Sequence, residues 1–393
     1  MPPRRPVAQP LAAEALAVAK AIAGELVTAE LTDASLRGSS GVWLLVHELG
    51  ADAPAVPRAT VRRWEAAAIA GLSAQDASFF DGMLGVAWLL SVLGRAVDEL
   101  AAVDDAVLEV LHEPWDGGLA AFGGGLAGFG SYGLARLHTR AGRRIVRRCV
   151  ALFGELAHRD GRSVWWTPGT ASLPATLGDQ APPLLNREGS AAAVAFLAAA
   201  RGAGRSALPL ARRGARMLAD KLARASHDRI GVATPHVAPG LVHGSGTWAL
   251  GSAGAVAALL SVAHATRAFE AAASSGRMLA DLDPAACAVS DASLGTGTAG
   301  IACVMQALAE ATNQPVFTFA AEHWHLRTLR FRRPGEGFGG YLHVDALANV
   351  AVGGGRWAPR PGLLEGAAGT ALSLLCAARG VRASPWFARC LVA

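Results

Sequence analysis

The sequence predicts an all-α fold built from repeated helix pairs, and three observations carry that prediction. Alanine and leucine dominate a chain of 393 residues that holds only two tyrosines, a balance that favours helix over sheet. A glycine, two small or apolar residues and a second glycine recur along the chain. Apolar residues then follow each recurrence at helical spacing.

The copies are Gly38-Ser39-Ser40-Gly41, Gly82-Met83-Leu84-Gly85, Gly125-Leu126-Ala127-Gly128, Gly251-Ser252-Ala253-Gly254, Gly297-Thr298-Ala299-Gly300 and Gly366-Ala367-Ala368-Gly369. A seventh, Gly189-Ser190-Ala191-Ala192, has alanine in place of its second glycine but keeps the helix, as Val194-Ala195-Phe196-Leu197. After the first copy Val42, Leu45, Val46 and Leu49 share one face, and after the sixth Ile301, Val304, Met305 and Leu308 do, so each copy opens an amphipathic helix. The copies start about 43 to about 69 residues apart. That leaves room for a second helix in each interval, as from Ala141 to Leu156 and from Ser206 to Ala225. Helix pairs at this period make a solenoid or a closed toroid. The glycines are expected where helix N-termini converge and backbones must approach closely. Free N–H groups at those ends would then favour anionic or polar groups.

Bulk properties narrow the function. Hydrophobic residues make up 52% of the chain and charged residues 17%, which excludes disorder and supplies a sizeable core. The net charge is +5, but the basic runs are short: Arg143-Arg144, Arg147-Arg148, Arg212-Arg213 and Arg332-Arg333. They alternate with apolar residues at helical spacing and read as solvated helix faces, not a nucleic-acid surface. Five cysteines (Cys149, Cys287, Cys303, Cys376, Cys390) without a CxxC argue against a disulfide framework and point to a cytoplasmic protein. Met1 to Pro10 lacks an apolar run behind Arg4-Arg5, and no uncharged apolar stretch reaches the ~20 residues of a transmembrane helix. The chain reads as one domain, 1–393, with an irregular insertion at about 160–186, where a short hairpin around Asp160-Gly161 is expected. Arg333 to Pro361, rich in glycine and proline, is a second irregular stretch.

Several segments resemble signatures of the lanthionine synthetase C family of peptide cyclases. They are Trp165-Trp166-Thr167-Pro168, Ser293-Leu294-Gly295-Thr296-Gly297-Thr298-Ala299-Gly300, Arg333-Pro334-Gly335-Glu336-Gly337-Phe338-Gly339-Gly340 and Pro361-Gly362-Leu363-Leu364-Glu365-Gly366. With the seven repeats, the resemblance runs nearly end to end. It implies an (α/α) toroid in which inner helices line a cavity. It also implies a substrate class: ribosomally made precursor peptides carrying dehydroalanine or dehydrobutyrine, closed into thioether rings by cysteine thiolates. In the family zinc binds the thiol and lowers its pKa.

The chain departs from that pattern at the zinc ligands. The family carries a cysteine in a Trp-Cys-Tyr-Gly element where this chain reads Trp248-Ala249-Leu250-Gly251. It carries a Cys-His pair where this chain reads Gly295-Thr296. None of these side chains suits zinc. The family's proton-handling histidine, aspartate and arginine correspond to Glu188, Ala121 and Ser245. Neither a metal nor another cofactor is therefore expected. A replacement thiol–base pair or relocated ligand set would use Cys287 and His243. The bland reading of these two, and of His323, His325 and His343, is a loop or helix-surface residue. Asp81, Glu188 and Glu365 stand directly before a first glycine. They are either N-caps or acidic groups on the cavity rim. The candidate catalytic residues are thus Glu188, His243 and Cys287, and the candidate substrate-binding residues Asp81, Trp248, Thr296 and Glu365.

Three functions follow. One is zinc-independent assistance to thioether cyclisation of a bound precursor peptide. The second is a non-catalytic scaffold for that peptide or for a dehydratase. The third, from another class, is glycan processing in an (α/α) barrel with carboxylates roughly 5–9.5 Å apart, pairing Glu188 with Asp81 or Glu365.

Overall fold

The computed structural model describes residues 8–73, 76–114, 125–166, 190–227, 248–249, 251–281, 289, 291–344, 357–382, 384 and 386. Among these residues the helices are α1 (Gln9–Leu26), α2 (Ser39–Leu49), α3 (Arg58–Gly71), α4 (Met83–Leu93), α5 (Val97–His112), α6 (Leu126–Ala135) and α7 (Arg140–Glu155). They continue as α8 (Ser190–Ala199), α9 (Ala207–His227), α10 (Ser252–Thr266), α11 (Glu270–Ala280), α12 (Thr298–Thr312), α13 (Pro315–Arg330) and α14 (Ala367–Arg379). Two small antiparallel ladders pair β1 (His158–Asp160) with β2 (Ser163–Trp165) and β3 (His343–Val344) with β4 (Trp357–Ala358). The first is the expected hairpin, with Gly161 at φ 51° in its turn. The rest of the expected insertion, from Thr167 on, lies outside the described residues.

Every repeat helix is present, and each opens at the second residue of its glycine element. The expectation of one apolar face is corrected, however. In α12 every residue from Thr298 to Ala309 is buried, and in α14 every residue from Ala367 to Ala378. Such helices are covered on all sides, which is why their small residues (glycine, alanine, serine) recur so densely. The intervening helices carry the amphipathic pattern instead. In α7 the buried residues Gly142, Ile145, Val146, Cys149, Val150, Leu152 and Phe153 form one stripe, and its arginines lie on the other side. Thr139 caps this helix, accepting from the Gly142 amide at 2.9 Å.

Contacts divide the chain into two compact units. One comprises Met1–Ala67, Gly231–Ala253 and Gly276–Phe387. In it α14 packs against α1, α2 and α12, and α12 and α13 form an antiparallel hairpin. Asn313, left-handed at φ 54°, ends α12, and Pro315 starts α13 two residues later, so the reversal is tight. The other unit comprises Ala68–Ile230, Gly254–Ser275 and Ala388–Ala393. Its pairs are α4 with α5, α6 with α7 and α8 with α9. A buried polar cluster ties α5 to the end of α6. Asp104 accepts from the Tyr132 hydroxyl at 2.7 Å and from the Arg136 guanidinium at 2.7 and 3.2 Å. Burial and the Asp104 carboxylate beside it push the Tyr132 hydroxyl far above its usual range.

Candidate functional site

The turn that opens α2, α4, α12 and α14 is longer than the glycine element. Asp33-Ala34-Ser35 precedes α2, Asp76-Ala77-Ser78 precedes α4 and Asp291-Ala292-Ser293 precedes α12. In each, the aspartate carboxylate accepts the amide of the serine two residues on, at 2.8, 2.8 and 3.0 Å. The same aspartate's carbonyl then accepts the first helical N–H: Ser39 at 2.8 Å, Met83 at 2.8 Å and Thr298 at 3.1 Å. Arg360 does this for Ala367 at 2.9 Å, and Pro361 and Gly362 accept from Ala368 and Gly369. The expectation of free N–H groups is therefore corrected at α14. At α14 the first three amides are consumed by the preceding loop.

This also gives the glycines their reason, which differs from the expected one. A Cβ on Gly38 or Gly82 would lie 2.1 Å from the carbonyl oxygen of Asp33 or Asp76. A Cβ on the second glycine would meet Leu36 O at 2.4 Å (Gly41), Leu294 O at 2.1 Å (Gly300) or Leu363 O at 1.7 Å (Gly369). The helix accommodates its own entry loop first, and neighbouring helices second. The Asp-Ala-Ser triplets were visible in the sequence and mark this loop, but the glycine pattern alone does not reveal it.

In the first unit these turns are joined by a belt of main-chain hydrogen bonds. Leu363 N donates to Leu36 O, Gly295 N to Leu364 O and Ala249 N to Gly295 O, each at 2.8 Å. The belt brings Ala249, Gly295 and Thr296 together. A Cβ built on Gly295 would stand 3.7 Å from the Ala249 Cβ. Ala249, 46 residues before Gly295 in the sequence, thus sets its methyl beside the Gly295 hydrogen, and the hydroxyl-bearing Thr296 follows directly. Zinc needs thiolate, imidazole or carboxylate donors, so these residues do not fit it. Among the described residues no group of three His, Cys, Asp or Glu side chains is placed to hold a metal ion.

The side chains that follow the belt residues are the candidate polar groups. Arg37 Nη1 donates to Glu365 Oε2 at 2.6 Å, and both side chains are largely covered. Glu365 precedes Gly366, which occupies the N-cap position of α14, and the exposed Asp81 precedes Gly82, which occupies that of α4. Thr296 ends a hydroxyl chain. Ser293 Oγ donates to Asp291 Oδ1 at 2.8 Å, so the Thr296 hydroxyl is left to donate to Ser293 at 3.2 Å. Asp291 Oδ2 also accepts the Val344 amide at 3.0 Å. Trp248 is buried, its Cβ 2.9 Å from a Cβ placed on Gly300.

Two histidines expected at the surface are fully buried, because each lies on the packed side of its element. His343 Nε2 bonds Thr370 Oγ1 at 3.1 Å, and Thr370 in turn donates to Ala292 O at 2.9 Å. Burial lowers its pKa to about 4 despite the Asp291 carboxylate nearby. His325 Nε2 bonds Gln306 Oε1 at 2.7 Å, and burial lowers its pKa to about 3. Both are neutral at pH 7. The candidates Glu188, His243 and Cys287, with Ala121 and Ser245, lie outside the described residues.

Comparison with solved structures finds eight matching chains. One of them, "Nisin cyclase", superposes with a TM-score of 0.67 over 96% of this chain and 96% of its own. The fold is that of nisin cyclase. Sequence identity over the match is 14%, so the likeness is one of architecture. The expected all-α class, an (α/α) toroid of helix pairs, is borne out by it. No family model and no curated protein sequence matches. Among the described residues no helix is long and apolar enough to cross a membrane.

Proposed function

We propose that this protein binds a dehydrated, cysteine-containing precursor peptide and assists thioether closure without zinc. One observation supports this reading above the others. On a nisin cyclase fold, the belt of turns gathers Ala249, Gly295 and Thr296, the positions that the resemblance assigns to the zinc ligands. The framework of such a site is kept, while its donors are replaced by groups that bind no metal.

The chemistry open to such a site is limited. A cysteine thiol adds across the alkene: sulfur bonds to the β-carbon, the π pair moves to the α-carbon, and the thiol proton is replaced there from solvent. A free thiol has a pKa near 8.5, so roughly a few per cent is thiolate at pH 7. Nothing gathered at Ala249, Gly295 and Thr296 lowers that value. The remaining contribution is proximity, which can supply several kcal/mol when both partners are held in a near-attack geometry. The Thr296 hydroxyl, anchored through Ser293 to Asp291, and the Arg37–Glu365 pair offer fixed hydrogen-bonding groups for peptide amides.

A second reading has a specific observation in its favour. Loss of all three donors together suits a scaffold that presents the peptide, or a dehydratase, without accelerating chemistry. One experiment separates the two. The purified protein is incubated with a dehydrated, cysteine-containing peptide; free thiols are counted over time, and binding is measured by fluorescence anisotropy. Thiol loss faster than in buffer supports assisted cyclisation. Binding without acceleration supports the scaffold. Absence of binding at about 100 μM peptide sinks both.

A further inference from the structure

The neighbouring helices α5 and α7 carry exposed charge of opposite sign, far from the use made of the belt of turns. On α5 the exposed acids are Asp98, Glu99, Asp105 and Glu109, and the helix holds no lysine or arginine. On α7 Arg140, Arg143, Arg144 and Arg147 are exposed, and its one acid, Glu155, is taken by Arg148 at 3.1 Å. Among the described residues no ion pair joins the exposed acids of α5 to the exposed arginines of α7. Asp105 with Glu109, Arg140 with Arg144 and Arg143 with Arg147 stand four residues apart, and like charges at that spacing destabilise a helix. Solvation alone does not account for a cost repeated on both helices.

The two helices run side by side in the same direction. Arg136, four residues before α7 starts at Arg140, bonds Asp104 of α5 at 2.7 Å, and further along Arg148 Nε donates to Leu111 O at 3.0 Å. Asp105 and Glu109 therefore stand at the levels of Arg140 to Arg147. Val110, 46% exposed, adds an apolar group beside Glu109. Next to α7, α9 and the β1–β2 hairpin expose Arg162, Arg212 and Arg216 against Asp160 and Asp220, and a Cβ on Gly154 of α7 would lie 3.7 Å from Leu210 of α9. The change of sign thus falls between α5 and α7.

Charge selects the occupant. A polyanion would match α7 and be repelled by α5, and a polycation the reverse. The fitting partner carries both signs on parallel neighbours at matching levels, which is what this chain itself presents. A two-fold axis parallel to the helices and between them places α5 of each copy over α7 of the other, whereas an axis across them would set like on like. Two helices of 16 residues, about 24 Å long and 10 Å wide each, offer about 500 Å² per copy, the low end for a specific contact.

We propose that the α5–α7 face joins two copies of the chain in a weak, salt-sensitive two-fold dimer, with Asp105 and Glu109 of each copy opposite Arg143 and Arg147 of the other. The inference goes beyond the function proposed above and does not depend on it.

Light scattering after gel filtration reads mass against concentration. At about 200 μM chain and about 50 mM salt the wild type approaches twice the 40.2 kDa of one chain, and about 500 mM salt returns it to one. Asp105→Arg/Glu109→Arg and Arg143→Glu/Arg147→Glu, both exposed changes, each weaken self-association at least about ten-fold. The first variant is basic on both helices and the second acidic on both. Mixed in equal amounts, they pair with one another and restore the doubled mass. Circular dichroism establishes that each is folded. A wild type that stays at one chain in low salt overturns the inference, as do reversals that leave association unchanged, or two folded variants that do not pair when mixed. Growth beyond two chains denotes head-to-tail contact and overturns the two-fold arrangement.

Discussion

If Ala249, Gly295 and Thr296 occupy the place of a lost metal site, restoring donors there should restore metal. The variant is Ala249→Cys/Gly295→Cys/Thr296→His. The Cβ of residue 295 would lie 3.7 Å from that of residue 249. Two thiolate sulfurs on a tetrahedral zinc, at about 2.3 Å each, stand roughly 3.8 Å apart, so neighbouring Cβ atoms at this distance suit both. Gly295 pays little for a side chain: its φ is not left-handed, and the new Cβ would meet Leu364 O at 3.3 Å, a shift of a few tenths of an ångström. Zinc at about 1,000 times its dissociation constant should stabilise the reduced variant by about 4 kcal/mol. Metal content by mass spectrometry and denaturant unfolding with and without chelator measure both effects. The same distance falls near the ~3.8 Å mean of disulfide Cβ pairs. Ala249→Cys/Gly295→Cys alone should therefore cross-link in air, seen as loss of two thiols. A folded triple variant that retains under about 0.3 zinc per chain, with a double variant that stays reduced in air, would refute the adjacency and with it the reading of a vacated site.

Other outcomes test the framework. Arg136→Met strands the Asp104 carboxylate, which is only 3% exposed, and should cost about 3–5 kcal/mol in urea unfolding; a loss below about 1 kcal/mol would contradict the burial of the pair. Gly369→Ala forces a Cβ to within 1.7 Å of Leu363 O and should cost more than about 2 kcal/mol, whereas Gly24→Ala in α1 meets nothing within 4 Å and should stabilise by about 0.4–1 kcal/mol. Comparable melting temperatures for these two variants would sink the account of the glycines. His325 and His343 have folded pKa values depressed to about 3 and about 4, so the unfolded chain binds their protons first as pH falls. Their contribution is complete above the unfolded value of about 6.5 and is lost below it, toward pH 4, by up to about 1.4 kcal/mol per pH unit for each group. His325→Gln should flatten that slope between pH 4 and 6; an unchanged slope would place the titration elsewhere.

The repeat was legible because it is local. Helical spacing and paired glycines lie within about a dozen residues, and each of the helices they mark is present. Two readings failed for want of non-local information. The glycine helices are buried all round, because packing on every side leaves no polar stripe, as α12 and α14 show. His325 and His343 are internal, because Gln306 and Thr370, distant in sequence, receive them.

By itself the sequence determined the fold class and the helix pairs, since short-range spacing suffices for those. Only the tertiary structure decided that Ala249, Gly295 and Thr296 meet and that Arg37 reaches Glu365. Such meetings depend on main-chain hydrogen bonds such as Gly295 to Leu364, made between groups that every residue carries, and no side-chain pattern in the sequence records them.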